Sequence, residues 1–195
     1  MINREEDTGE FSEEGNVPRV YSPWRRFFAR SFDLSLYNLL WLGFLALMFQ
    51  ENIVRRTGLE NYLDTFMVLL LMLFLEPIWL RYFKSTPGKK ILGMKIENLS
   101  GEPLSYKEGF ERTFGVIVKG LGLNIPIYNL FCLYKSYTML GEKIPLSWEQ
   151  SSAYIVKDRK KYRIALYLLG MAMALVLMVT LVFSQRVPPN FNDLP

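Results

Sequence analysis

At 195 residues the chain is half hydrophobic and 15% aromatic, and 23 basic against 19 acidic side chains leave a net charge of +4. The apolar residues fall in long blocks rather than the interrupted stripes of a soluble helix, so the composition argues for a membrane protein. With no histidine, the most frequent metal ligand, the usual proton shuttle and the Ser-His and Cys-His nucleophile pairs are excluded, and a single cysteine, Cys132, excludes an internal disulfide. Cys132 lies in an apolar segment and reads as a small buried hydrophobe. Basic residues cluster beside the apolar blocks instead of along one polar face, so membrane orientation, not nucleic acid, accounts for a pI near 9.1.

Residues 1–21 carry Glu5, Glu6, Asp7, Glu10, Glu13 and Glu14 among few apolar side chains and are expected to form a disordered acidic tail. An acidic leader does not suit a signal peptide, and the first apolar run starts beyond residue 30, so that run reads as a retained anchor. Ser22 and Pro23 signal a helix start, and the first helix is predicted over about 23–49, with Asp33, Ser35 and Asn38 as its polar breaks. A mixed-charge loop to Asp64 leads to a second helix over about 65–83, which holds Glu76 and Pro77 and ends near Arg81 and Lys84.

Thr86, Pro87 and Gly88 then mark a turn, while Leu92, Met94 and Ile96 alternate with period two before a second turn at Ser100 and Gly101, which predicts a small β-hairpin over about 90–104. Ser105 and Glu108 have capping-box spacing and start another helix, whose Phe110, Phe114, Ile117 and Leu121 share one face. Gly120, Gly122, Asn124 and Pro126 interrupt the following apolar stretch, so 105–140 is read as a broken pair of helices, re-entrant or interfacial. Ile164 to Phe183 is uncharged and about twenty residues long, the length of a spanning helix, within a C-terminal helical segment over 158–184. Gly170 and Ala174 give it a small-xxx-small spacing. Together these elements predict an all-α integral membrane protein, a bundle with three spanning helices, one broken pair and a small cytoplasmic hairpin.

Charge sets the expected orientation. Arg19, Arg25, Arg26 and Arg30 precede the first span, Arg81, Lys84, Lys89, Lys90 and Lys95 follow the second, and Lys157, Arg159, Lys160, Lys161 and Arg163 precede the last. The positive-inside rule puts all three points, and the N-terminus, in the cytoplasm, with the tail 185–195 outside.

The sequence resembles the RDD family of bacterial membrane proteins over about residues 23–157. Its first helix carries an arginine followed three residues later by an aspartate, here Arg30 and Asp33 in "WRRFFARSFD". The second helix leads into a Thr-Pro-Gly-Lys turn, here Thr86, Pro87, Gly88 and Lys89, then the strand "ILGMKIEN" and a turn-and-helix stretch containing Arg112. A second signature aspartate, usual after a histidine, is replaced in "SWEQSSAYIV" by Glu149, with Trp148 at the histidine position and Tyr154 near a threonine; the final helix looks like an addition. The resemblance implies a multi-pass protein of the bacterial cytoplasmic membrane, largely unassigned in role, for which transport has been suggested and some members of which resemble sodium/proton antiporters.

Arg30, Asp33, Glu76, Arg112 and Glu149 are the candidate polar cluster, because a charge at bilayer depth is costly unless it is paired, hydrated or protonated. Arg26, Arg30, Asp33 and Tyr37 share a helical face. Asp33 either faces a water-filled crevice and trades a proton for a cation, or pairs with Arg30 and caps the amides of another element. Glu76, beside a proline that frees a carbonyl, is either part of an ion site or bound to an arginine such as Arg112. "PGKK" lacks the glycine and Ser/Thr of a phosphate loop, and Trp24, Tyr37, Trp41, Trp79 and Tyr82 fit interfacial belts, so no cofactor, metal or enzymatic activity is expected. Two functions follow: ion or small-solute transport, such as cation/proton exchange, or a non-transporting scaffold that recruits a partner. The partners expected are the lipid bilayer and further copies of the chain or another membrane protein.

Overall fold

The computed structural model describes residues 21–48, 58–149, 151–156, 160 and 162–184. Three long helices are apolar enough to cross a membrane: α1 (Pro23–Met48), α2 (Gly58–Phe83) and the last helix, whose span is Tyr162–Phe183. Between them come α3 (Pro87–Ile91), β1 (Met94–Asn98), α4 (Tyr106–Gly115), α5 (Pro126–Gly141) and β2 (Ser152–Val156), and α6 is Tyr162–Ser184. The expected all-α membrane bundle is therefore present. The tails expected over 1–21 and 185–195 lie outside the described residues apart from Tyr21.

At a rise of roughly 1.5 Å per residue, each long helix exceeds the ~30 Å hydrocarbon thickness. Helix α1 buries Ala29, Asp33 and Tyr37, a stripe at spacing four, while Trp24, Phe27, Phe28, Phe44 and Leu47 are exposed. Helix α2 begins seven residues before the expected start. Glu60 lies in its first turn, where a negative charge suits the helix dipole, and Asp64 accepts a hydrogen bond from Trp41 Nε1 at 2.9 Å, so neither acid ends the helix. Pro77 stays inside α2, and Gly109 of α4 crosses directly over it: a Cβ on Gly109 would lie 3.1 Å from Pro77 Cα. Helix α6 is exposed over most of its apolar length, with a half-buried stripe at Tyr167, Gly170, Ala174 and Met178. Its Gly170 lets it approach Phe32 of α1, since a Cβ there would lie 2.9 Å from that ring.

The broken pair is also present. Ser105 starts α4 with a complete capping box, and the hydrogen bonds from Ser105 hold the Glu108 carboxyl below its usual range. Helix α4 loosens into a π turn at Val116–Gly120 and a 3₁₀ turn at Gly122–Asn124, after which Pro126 opens α5. Gly122 has φ +55°, and a side chain there would strike Tyr128, so glycine is needed for the reversal.

One expectation is corrected. The hairpin over 90–104 does not form: β1 pairs antiparallel with β2, in the register Met94 to Val156 and Asn98 to Ser152. Residues 99–102 turn locally, with Asn98 N–H bonded to the Glu102 carbonyl at 3.0 Å, but the chain then leaves for α4. Alternation in one strand fixes its buried face and says nothing about its partner. Met94 and Ile96 put that face into an apolar layer with Ala29, Leu80, Leu92, Leu104 and Tyr154. A second layer gathers Tyr37, Val68, Leu69, Met72, Val116, Ile117 and Leu121.

Opposed antiparallel residues bring Cα atoms to about 4.5–5.5 Å, within disulfide reach. In a Cys132→Ser background, Lys95→Cys with Ile155→Cys is expected to form an intramolecular disulfide under mild oxidation, read by gel mobility after proteolysis. Failure of that pair to crosslink in folded protein would remove the pairing of β1 with β2.

Candidate functional site

The charged residues converge between the two apolar layers. Glu76, completely buried on α2, is the centre. Its Oε2 accepts a hydrogen bond from Arg30 Nη1 at 2.5 Å, and its Oε1 accepts one from Lys89 Nζ at 2.6 Å. Arg112 Nη1 stands 3.6 Å from the same Oε1. One carboxylate thus joins α1, α3 and α4 to α2. A lone buried carboxylate is strongly disfavoured, whereas one surrounded by fixed cations is held as an ion and punishes the loss of any partner.

Asp33, 1% exposed, does not pair with Arg30 but caps another element. The Thr86 hydroxyl donates to its Oδ2 at 2.5 Å and the Gly88 N–H donates to its Oδ1 at 2.7 Å. Thr86, the N-cap of α3, makes no side-chain cap bond within its own helix, so Asp33 serves the orphan amide from across the interface. The Thr-Pro-Gly-Lys segment therefore has a role for each residue. Thr86 and Gly88 bind Asp33, Pro87 starts the helix, and Lys89 reaches Glu76. Gly88 must be glycine because a Cβ would run into the Ala29 carbonyl of α1.

The network continues through β2. Arg112 Nη2 donates to the Tyr154 hydroxyl, and the Arg112 guanidinium lies 5.0 Å from the Tyr154 ring centre. Arg26 stacks on the same ring at 3.8 Å and bonds Glu149 Oε1 through Nη1 at 2.6 Å. Burial alone would push the Tyr154 hydroxyl up, but the positive charges of Arg112, Lys89 and Arg26 outweigh it and hold it below the ordinary tyrosine range. Trp148 packs against Gly115 and Gly120; a Cβ on Gly115 would lie 2.6 Å from the Trp148 Cβ.

All five residues singled out from sequence belong to this network: Arg30, Arg112 and Glu76 directly, Asp33 through α3, and Glu149 through Arg26 and Tyr154. Sequence reasoning missed Lys89, Thr86, Gly88, Arg26 and Tyr154 as members. The signal for Lys89 and Thr86 lay in their proximity to a turn after α2, but a lysine next to a second lysine reads as membrane flank. Arg26, Arg30, Lys89 and Arg112 against Asp33, Glu76 and Glu149, four cations to three carboxylates, leave one net positive charge. Among the described residues no three cysteine or carboxylate side chains converge, and the cluster sets single acids between cations.

A polytopic helical protein with a buried Arg-Lys-carboxylate core is what the fold and this site define. The family model described as RDD family matches residues 20–186, and the chain belongs to that family. The matched span runs through α6, beyond the 23–157 over which the sequence motifs carry the resemblance. No curated protein and no solved structure matches the chain.

Asp33→Asn can still accept from the Gly88 N–H while the Thr86 hydroxyl turns to accept, so the informative change is Asp33→Leu, which removes both acceptors. The variant is expected to lose about 1–3 kcal/mol of stability in detergent unfolding, with faster hydrogen exchange at the Gly88 amide. Unchanged exchange at Gly88 would remove Asp33 as the cap of α3.

Proposed function

We propose that this RDD-family protein is a non-transporting membrane scaffold, in which the ion cluster locks the cytoplasm-proximal half of the bundle so that a rigid surface is offered to partner membrane proteins or further copies of the chain. The observation that carries this reading is the full engagement of both oxygens of Asp33 and of Glu76 by fixed protein groups. A transported cation would have to displace Arg30 or Lys89 from Glu76, leaving a buried cation without its acid, at a cost of several kcal/mol. Ion sites in transporters instead use unwound backbone and carboxylates open to water on one side.

We place the protein in the cytoplasmic membrane with its N-terminus in the cytoplasm. Three basic ends meet on one side of the bundle, which supports this orientation. Arg25 of α1 donates to the Leu92 carbonyl at 3.3 Å, and Arg163 of α6 donates to the Lys90 and Ile91 carbonyls at 2.9 and 3.1 Å. The start of α1, the segment after α2 and the start of α6 therefore share a face, and lysines and arginines crowd it.

Cation/proton exchange is the competing reading, and flux distinguishes the two. Purified protein in proteoliposomes, loaded with a pH-sensitive dye and given a sodium or potassium gradient, is expected to show proton movement no faster than empty vesicles. Flux above that level, abolished by Asp33→Asn in protein that still inserts, would replace the scaffold with an exchanger.

A further inference from the structure

Beside the ion cluster, α1, α5 and the turns that precede α5 line a cleft of about 500 Å³ that the scaffold role leaves unused. It falls within the roughly 300–1,000 Å³ typical of small-molecule sites. Leu34, Val116, Leu121, Leu130 and Leu133 form an apolar wall, and Arg26, Arg30, Ser31 and Ser136 supply polar groups to the same cavity. Trp24 and Tyr137, edge to face at 5.9 Å, stand at the end where α1 begins, a pairing typical of the headgroup level of a bilayer.

The charge that reaches the cleft is unequal. The side chains of Arg26 and Arg30 keep 10% and 12% exposure, while their acids Glu149 and Glu76 keep 5% and 0%. Glu76 lies behind Arg30 and does not line the cleft, while Glu149 lines it beside Arg26, so two guanidiniums meet one carboxylate there. Arg30 binds Glu76 through Nη1, and a guanidinium carries five N–H donors in a fork suited to phosphate, so the carboxylate does not saturate it. The net positive charge of the cluster is therefore presented where apolar wall and aromatic rim meet.

We propose that this cleft is a binding site for one anionic glycerophospholipid, from the leaflet at the N-terminal end of α1, with its phosphate against Arg26 and Arg30 and an acyl chain along the leucine wall. Charge complementarity selects the anionic headgroup, and the exposed apolar side of α5, where Ile127 and Phe131 face outward, gives the chain access from the bilayer.

The test uses the full chain in nanodiscs of phosphatidylcholine and phosphatidylglycerol in equal amounts, with lipid retained after release read by native mass spectrometry. One retained phosphatidylglycerol per chain is expected, favoured over phosphatidylcholine by at least roughly fivefold. Leu133→Trp fills the cleft without touching a charge and is expected to abolish that retention; Ser136→Phe, whose lost hydroxyl only bonds the Cys132 carbonyl of its own helix, serves if the first variant fails to fold. An excess of glycerol phosphate is expected not to displace the lipid. Equal retention of the two lipids, unchanged retention in the filled variants, or displacement by glycerol phosphate would each overturn the proposal, the last by making the ligand a soluble phosphoester.

Discussion

A carboxylate without water must be given its counter-charge by the protein, and Glu76 takes it from three elements at once. That requirement organises the rest of the molecule. Arg30 has to come from α1, Lys89 from α3 and Arg112 from α4, so the helices can dock only in the arrangement that delivers all three. Apolar packing in lipid gives helices little preference for one partner face over another, because the surrounding chains are as apolar as leucine. The ion cluster supplies the specificity that the hydrophobic effect supplies in soluble proteins. Its net contribution to stability is small against a well-packed apolar core, while the penalty for a misdocked helix, an unpaired buried charge, is large.

The short α3 turns this electrostatic demand into geometry. Five residues are too few to hold a helix by propensity, and α3 persists because Asp33 binds its first turn and Lys89 anchors its middle. The absence of a side chain at Gly88 is what allows α3 to lie against the α1 backbone. From there the strand β1 leads away, its Ile96 N–H returning to the carbonyl of Lys84, just before α3, at 2.8 Å, and β2 brings Tyr154 back over Arg112 and Arg26. A tyrosine between two guanidiniums is stabilised on its ring face by both. The sheet is therefore a lid on the cluster, tied to it through one side chain.

Much of this was legible in sequence, and the residues show why. The three spans follow from length and apolar content, and the break in the third apolar region follows from Gly122 and Pro126. Charges inside spans pointed to Arg30, Asp33 and Glu76 because the cost of burying them is independent of fold. Their pairing was less legible. Helical spacing makes Arg30 and Asp33 neighbours, yet each reaches outward to a different element, since an intrahelical pair three apart would leave Glu76 and the α3 amide unsatisfied. The partner of β1 lies more than fifty residues away in register, beyond any local signal. Lys89 and Lys90 are adjacent and alike in composition, but one is buried on Glu76 and the other faces outward, a distinction that only the direction of α3 decides.

The most direct measurement is a double-mutant cycle on Arg30 and Glu76, with Arg30→Met, Glu76→Leu and the double variant unfolded reversibly in mixed micelles. Arg30→Met leaves Glu76 with two of its three cations and Glu76→Leu strands all three, whereas the double change strands only Lys89 and Arg112. The account requires the pair to be strongly coupled, the double variant being less damaged than the sum of the singles by at least about 1 kcal/mol. Additive losses, with a coupling within about 0.5 kcal/mol of zero, would mean that the carboxylate at the centre of the bundle does not hold α1 in place.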